Sequence, residues 1–393
     1  MDGVAGAARL VDHLARALDG TGPAILPLDS GLPAERLTQL IEAFGPSAVI
    51  DVDGRARTRS GQRGVGQDTA VIIGTSGSTG EPKGVELSAA ALRHSARASL
   101  ARAGARPGER WLVCLPVSHV AGLQVLVRSL AGGTEPAVAA TASARAVADA
   151  ADAGCAHVSV VPTQLVRLLD SPAGTAALAR YRCVLVGGAA AGAGALDAAR
   201  RAGIAAVTTY GMSETCGGCV YDGVPLDGVT VREDSDGRLR ITGPVLMNRY
   251  YRRPDLTAAV LSGSGDGHTE FATSDLGYVD AAGRVTVRGR ADDVINTGGH
   301  KVVPGEVAAV LATCPGVREA VVVGRPDAEW GERVTAVVVP ADPADPPGLQ
   351  LLRTHVSARL PRYACPSEVV LTEAIPLLPS GKPDLAALKV ART

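Results

Sequence analysis

The sequence predicts an α/β fold followed by a smaller α+β block. Short β-branched runs closed by Pro or Gly recur along most of the chain, and Ala/Leu-rich stretches lie between them. The pattern changes character after about Gly289. At 393 residues the chain has room for two or three domains of the usual ~100–200 residues each.

In chain order, Leu10, Val11, Leu14 and Leu18 space an amphipathic helix. Val71-Ile-Ile73 reads as a strand entering a glycine loop. Trp111–Pro116, His157–Pro162 and Arg182–Gly187 are apolar runs of buried-strand length, and Thr141–Gly154 and Gln164–Ala179 between them read as helices. Ile204–Val207 is a further β-branched run. Beyond Gly289 the order becomes helix (Pro304–Cys314), strand (Ala320–Val323), strand (Val334–Val339), a Pro/Asp-rich loop (340–348), helix (Leu349–Leu360) and strand (Ser367–Leu371). A block of roughly 100 residues with those elements suits a separate small domain. No internal repeat is present.

Composition excludes several function classes. A formal charge of −1 offers no bulk attraction to nucleic acid or anionic lipid. No apolar run approaches the ~18 residues of a membrane span, and Met1-Asp-Gly-Val4 lacks a basic leader, so a cytoplasmic protein is expected. Seven scattered cysteines fit reduced thiols. Cys216-Gly-Gly-Cys219 matches a C-x-x-C spacing, but neither a second ligand pair nor a thioredoxin-like setting accompanies it, and both read as small buried residues.

The most informative segment is Gly74-Thr-Ser-Gly-Ser-Thr-Gly-Glu-Pro-Lys-Gly84. Its glycines let several backbone N–H groups converge on one anion, its hydroxyls add donors, and Lys83 adds a mobile point charge. A triphosphate fits that lining. A P-loop needs its lysine directly after the last glycine and a hydroxyl next; here Glu81-Pro82 intervene and Gly84 follows. A flexible Ser/Gly connector is the bland alternative, disfavoured by the strand before it and Pro-Lys-Gly after it. Lysine is scarce throughout: only Lys83, Lys301, Lys382 and Lys389 occur among 39 cationic residues, and the first three lie in glycine-bearing segments. A residue chosen against that background marks a need for a compact ammonium instead of a planar fork, with chance survival on the surface as the alternative.

Other segments carry matching chemistry. Val184-Leu-Val-Gly-Gly188-Ala189 is a strand ending in glycines, and Tyr210-Gly-Met-Ser213-Glu214 places an aromatic face, a hydroxyl and a carboxylate close together. The first can stack on a purine, and a carboxylate beside a triphosphate is a natural Mg²⁺ ligand. Asp275 and Arg290 suit ribose hydroxyls. Each alone reads equally as core, turn or surface pair.

Taken together, residues 71–384 resemble the adenylate-forming superfamily of acyl-CoA synthetases, luciferases and peptide-synthetase adenylation domains. The resemblance implies a large N-terminal domain of packed α/β subdomains (1–290) and a small mobile C-terminal domain (291–393) hinged near Asp292. It implies two half-reactions: a carboxylate and ATP give acyl-adenylate and pyrophosphate, then a thiol displaces AMP. By position, Thr75, Ser76, Gly77, Ser78, Thr79, Gly80 and Lys83 would cradle phosphates. Gly188, Ala189 and Tyr210 would hold adenine, with Gly211 beside them in the nucleotide site, Ser213 the α-phosphate, Glu214 the Mg²⁺, and Asp275 and Arg290 the ribose. Lys382 matches the catalytic lysine, and Gly298, Gly299 and Lys301 match the segment that lines the CoA tunnel.

Leu115–Leu130, Val161–Leu165 and Tyr210–Gly228 narrow the resemblance to the 2-succinylbenzoate-CoA ligases of menaquinone biosynthesis, in their short actinobacterial form. That branch implies 2-succinylbenzoate, ATP and CoA as small-molecule partners and no prosthetic group, with a homodimer left open. Its substrate keeps a second carboxylate, which needs a cation or strong donors at the far end of the pocket. Gln124 and Arg128 lie four apart on one helical face with His119 at its start, and the alternative is that Arg128 reaches solvent. Gly217 and Gly218 leave room for a ring. The chain lacks much of the N-terminal subdomain of longer members. Other aryl-CoA ligases, carrier-loading adenylation domains and a non-catalytic nucleotide-binding module remain alternatives.

Overall fold

In the computed structural model, residues 2–61, 63–76, 82–263, 269–378 and 381–390 are described. The centre is a seven-stranded sheet in the order Val224–Pro225, Gly217–Tyr221, Ala206–Met212, Cys183–Val186, Cys155–Val160, Arg110–Val113, Ala137–Val138. The last five run parallel, and the first two are added antiparallel at one edge. Parallel strands need crossover helices and are covered on both faces, which is why these segments read as unbroken apolar runs. Trp111, Val113, Cys183 and Leu185 face helices Ala89–Arg102 and Val120–Ala131. The alternate residues Leu112, Val158, Val160, Val184 and Val186 face helices Ala144–Asp152, Pro162–Leu169, Pro172–Leu178 and Ala193–Arg201.

The expected helix over 164–179 is two helices. Pro172 cannot continue the first, and Ser171, held extended before it, accepts the Gly174 amide at 2.9 Å and caps the second. Residues 230–290 also depart from strand–helix alternation. They form an antiparallel five-stranded sheet of Thr230–Glu233, Arg238–Thr242, Thr269–Val279, Leu261–Gly263 and Val285–Arg290. The glycine loop joins strands Thr69–Ser76 and Pro82–Ser88, a hairpin extended by Arg249–Tyr250.

Past Arg290 another sheet gathers His300–Val302, Ile295–Thr297, Gly331–Pro340, Val317–Asp327 and Glu368–Leu371. One face packs helices Pro304–Leu311 and Leu349–Ser357, and the other packs Ile375 and Leu388. All seven cysteines are free and buried.

Candidate active site

Parallel strands release their loops at one end, and that edge is where ligands bind in open α/β sheets. Here it releases Leu115–His119, Val161–Gln164, Gly187–Ala189 and Gly211–Thr215. Tyr210 ends the strand Ala206–Met212, and its hydroxyl donates to Asp275 Oδ2 at 2.7 Å. Asp275 stands opposite Arg290 in the antiparallel sheet, with Arg290 Nη1 3.7 Å from Oδ1. The same guanidinium reaches Asp292 at 2.8 Å. Burial pushes the Asp275 carboxyl above its ordinary range; Tyr210, Arg290 and Lys382 oppose that shift, and Glu214 adds to it.

A second group forms around Glu214, in the turn Ser213–Thr215. Tyr250 donates its hydroxyl to Glu214 Oε1 at 2.7 Å, while Lys83 Nζ lies 4.4 Å from the centroid of the same ring. Sequence reasoning missed Tyr250. The signal was present: two adjacent tyrosines, Tyr250-Tyr251, in a chain with only 3% aromatic residues. The turn itself depends on Gly211, because a Cβ there would fall 2.0 Å from the Gly217 carbonyl oxygen. Of the phosphate-loop residues, Thr75 and the Ser76 backbone belong to the hairpin, with Thr75 opposite Lys83. Gly77, Ser78, Thr79 and Gly80 lie outside the described residues.

Helix Val120–Ala131 carries the residues expected on the acyl side. His119 precedes it, held below its usual pKa by burial and by Lys382. Gln124 is buried and donates Nε2 to the Cys216 carbonyl at 2.7 Å, close against Gly217, and Gly218 pairs with Gly211 one position on. Arg128 does not reach solvent as the alternative reading had it; it is 5% exposed. Its guanidinium lies 4.6 Å over the Trp111 ring and donates Nη1 to Ser159 Oγ at 3.1 Å, while Nε finds no partner among the described residues. Trp111 and Ser159 were also missed. They belong to neighbouring strands, and only the sheet brings them together.

Lys382 follows Gly381 in the loop closed by the Leu377–Pro383 bridge. It acts through space on both Asp275 and His119, so its charge faces these two groups together. Gly188, with Ala189 beside it, has φ +87 and approaches Val161. Gly298, Gly299 and Lys301 sit apart from these groups on the hairpin Ile295–Thr297/His300–Val302, where Gly298 donates its amide to the Trp330 carbonyl at 2.9 Å. Two carboxylates facing three cations can hold a polyanion with a divalent ion. Cys216 and Cys219, by contrast, are buried thiols, the second pushed up to about 12 by burial, and no metal-ligand group occurs among the described residues.

Residues 54–251 match the model of the AMP-binding enzyme family, and residues 306–382 match that of the AMP-binding enzyme C-terminal domain. The chain is 41% identical over 392 residues to a probable 2-succinylbenzoate–CoA ligase of Mycobacterium tuberculosis, covering 97% of this chain and 94% of that one. It is 32% identical over 365 residues to an indoleacetate–CoA ligase of Aromatoleum aromaticum, covering 85% and 69%. Its fold superposes with a TM-score of 0.73 on the o-succinylbenzoate CoA synthetase of Bacillus subtilis in complex with its acyl-adenylate intermediate, at 28% identity over 97% of this chain and 81% of that one. With ATP-bound MatB from Rhodopseudomonas palustris the TM-score is 0.81 at 23% identity over 97% and 92%, a likeness of fold.

Proposed function

The chain belongs to the AMP-binding enzyme family, and from that premise we propose that it is an ATP-, Mg²⁺- and CoA-dependent ligase acting on 2-succinylbenzoate, in menaquinone biosynthesis. One observation carries the substrate choice. Arg128 is a buried guanidinium with no carboxylate partner among the described residues. An uncompensated buried charge is costly, and a ligand that brings its own carboxylate removes that cost. A dianionic acid presents one carboxylate for activation and a second for Arg128. The relatives named for that acid support the same reading.

The residues divide the work as follows. The loop from Thr75 to Gly80 and Lys83 hold the β- and γ-phosphates. Gly188, Ala189, Tyr210 and Gly211 take adenine, Asp275 and Arg290 the ribose, and Ser213 the α-phosphate. Glu214 fits a Mg²⁺ ion, since Tyr250 engages one carboxylate oxygen and a single carboxylate plus substrate phosphates is a usual set. When bound, that ion draws charge from the departing phosphates. Lys382 offsets the repulsion between the attacking carboxylate and the α-phosphate and stabilises the charge that develops there. His119, Gln124, Arg128, Gly217 and Gly218 shape the acyl pocket.

The thiol step follows in a second orientation, in which residues 291–393 turn about Asp292 against residues 1–290. Lys382 leaves, and Gly298, Gly299 and Lys301 arrive to line the pantetheine path. The reading includes a cytoplasmic location: the seven thiols are free, and no helix among the described residues is long and apolar enough to cross a membrane.

A pyrophosphate-release screen over aromatic and aliphatic acids tests the substrate. Release with 2-succinylbenzoate and none with benzoate or fatty acids is expected; equal rates with benzoate refute it. A different aryl acid is the second reading, favoured by the indoleacetate–CoA ligase relative, and the same screen separates the two.

A further inference from the structure

Lys382 sits where adenylation needs it only while the small domain stays docked, so what docks it is itself part of that half-reaction. Arg318, near the start of strand Val317–Asp327, places Nη2 2.8 Å from Oδ2 of Asp170, the residue that ends helix Pro162–Leu169. Beside this pair, the half-buried Glu319 lies within electrostatic reach of Arg167 on the same helix. Small groups also meet nearby. A Cβ on Gly192 would lie 3.7 Å from the Ala312 methyl, and one on Gly381 would lie 3.0 Å from Val161. A cavity of about 420 Å³, lined by Pro116, Val161, Gln164, Arg167 and Gly381, remains under the Lys382 loop. Among the described residues two further ion pairs cross the boundary, Arg288–Glu306 and Arg290–Asp292, and both lie beside the hinge, where a rotation moves them least.

We propose that Asp170 and Arg318, with Arg167 and Glu319 beside them, are positioning residues for adenylation. They hold Gly381 on Val161 and thereby Lys382 at the reacting groups, and they part before the thiol step. The inference rests on the two-orientation reading above. Both side chains of the pair are substantially exposed, 41% for Arg318 and 48% for Asp170. Such pairs shift an equilibrium by only about two- to fivefold. That is enough to favour one orientation without trapping it.

The test measures both half-reactions on the intact enzyme: pyrophosphate release with the acid the wild type adenylates, and thioester formation from supplied acyl-adenylate and CoA. Arg318→Glu is expected to lower the first about fivefold and leave the second unchanged or faster. Asp170→Arg combined with Arg318→Glu restores adenylation. Unchanged adenylation in Arg318→Glu, an equal fall in both steps, or no recovery in the charge-swapped double variant overturns the proposal. The thioester assay on the same sample doubles as the check on folding. Lys382→Ala run in parallel separates this inference from its premise. If Lys382→Ala loses both steps together the two-orientation reading fails, whereas a selective Lys382→Ala beside an inert Arg318→Glu sinks only the latch.

Discussion

Tyr250→Phe isolates one bond at the phosphate side. The tyrosine is 4% exposed; its hydroxyl donates to Glu214 at 2.7 Å, and its ring lies 4.4 Å from the Lys83 ammonium. Phenylalanine keeps the ring under Lys83 and removes only the donor. Hydrogen bonds to charged groups contribute about 1.5–3 kcal/mol, and each 1.4 kcal/mol is about tenfold. Adenylation, read as kcat/KM for ATP at saturating Mg²⁺ in a pyrophosphate-release assay, should therefore fall about 10- to 100-fold. Tyr250→Leu also loses the cation–π contact, worth about 0.5–2 kcal/mol, and should fall further. Thioester formation from supplied acyl-adenylate uses neither pyrophosphate-side group and should stay within about twofold. Adenylation within twofold of wild type for Tyr250→Phe would refute the reasoning. So would an equal loss in both half-reactions, which is what a purely structural role for a buried tyrosine predicts.

Lys382→Ala should nearly abolish adenylation while sparing thioester formation, measured as separate half-reactions. Arg128→Leu removes the cation proposed for the second carboxylate: KM for 2-succinylbenzoate should rise about tenfold or more, while KM for ATP stays put, as steady-state kinetics with each substrate varied will register. Burial and Lys382 hold His119 below its usual value of about 6.5, so it is neutral at pH 7. The contribution of this group to stability is whole above about pH 6.5 and declines as the pH falls below it, because the unfolded chain takes up the proton first. In Lys382→Ala the His119 titration, followed by NMR, should move up and yet stay under 6.5, since burial is the larger cause. An unmoved titration would mean that the lysine does not face His119 in solution.

The parallel sheet was legible because its central strands are short, largely apolar and buried runs closed by Pro or Gly, as Cys183–Val186 is before Gly187. The antiparallel sheet over 230–290 was not. Its strands alternate buried and half-buried residues, as in Arg238–Thr242, and their polar positions read as loop. Among site residues, those carried by short glycine-bearing motifs, such as Tyr210, Glu214 and Lys382, stood out. Tyr250 and Trp111 did not, because each owes its role to a partner brought alongside by strand pairing: Tyr250 through Val85 beside Lys83, and Trp111 through its place opposite His157 and under Arg128. Sequence pattern reports which face a residue takes. It does not report which neighbour the register delivers.

The scarcity of lysine acquires a physical reason at position 382. Arg290 shows what a guanidinium does beside these acids, pairing with Asp275 and Asp292 at once. A planar fork at 382 would be drawn into the same carboxylates with two parallel bonds, and leaving would mean breaking both. The ammonium of Lys382 instead acts on Asp275 and His119 through space. A point charge on a flexible stem stabilises developing charge without a geometry that must be undone. That property matches a domain whose contacts around the Lys382 loop are an exposed ion pair, small-residue contacts and a cavity. On the proposed two-orientation reading, both features would hold the Lys382 ammonium firmly enough for one half-reaction and loosely enough to release it for the next.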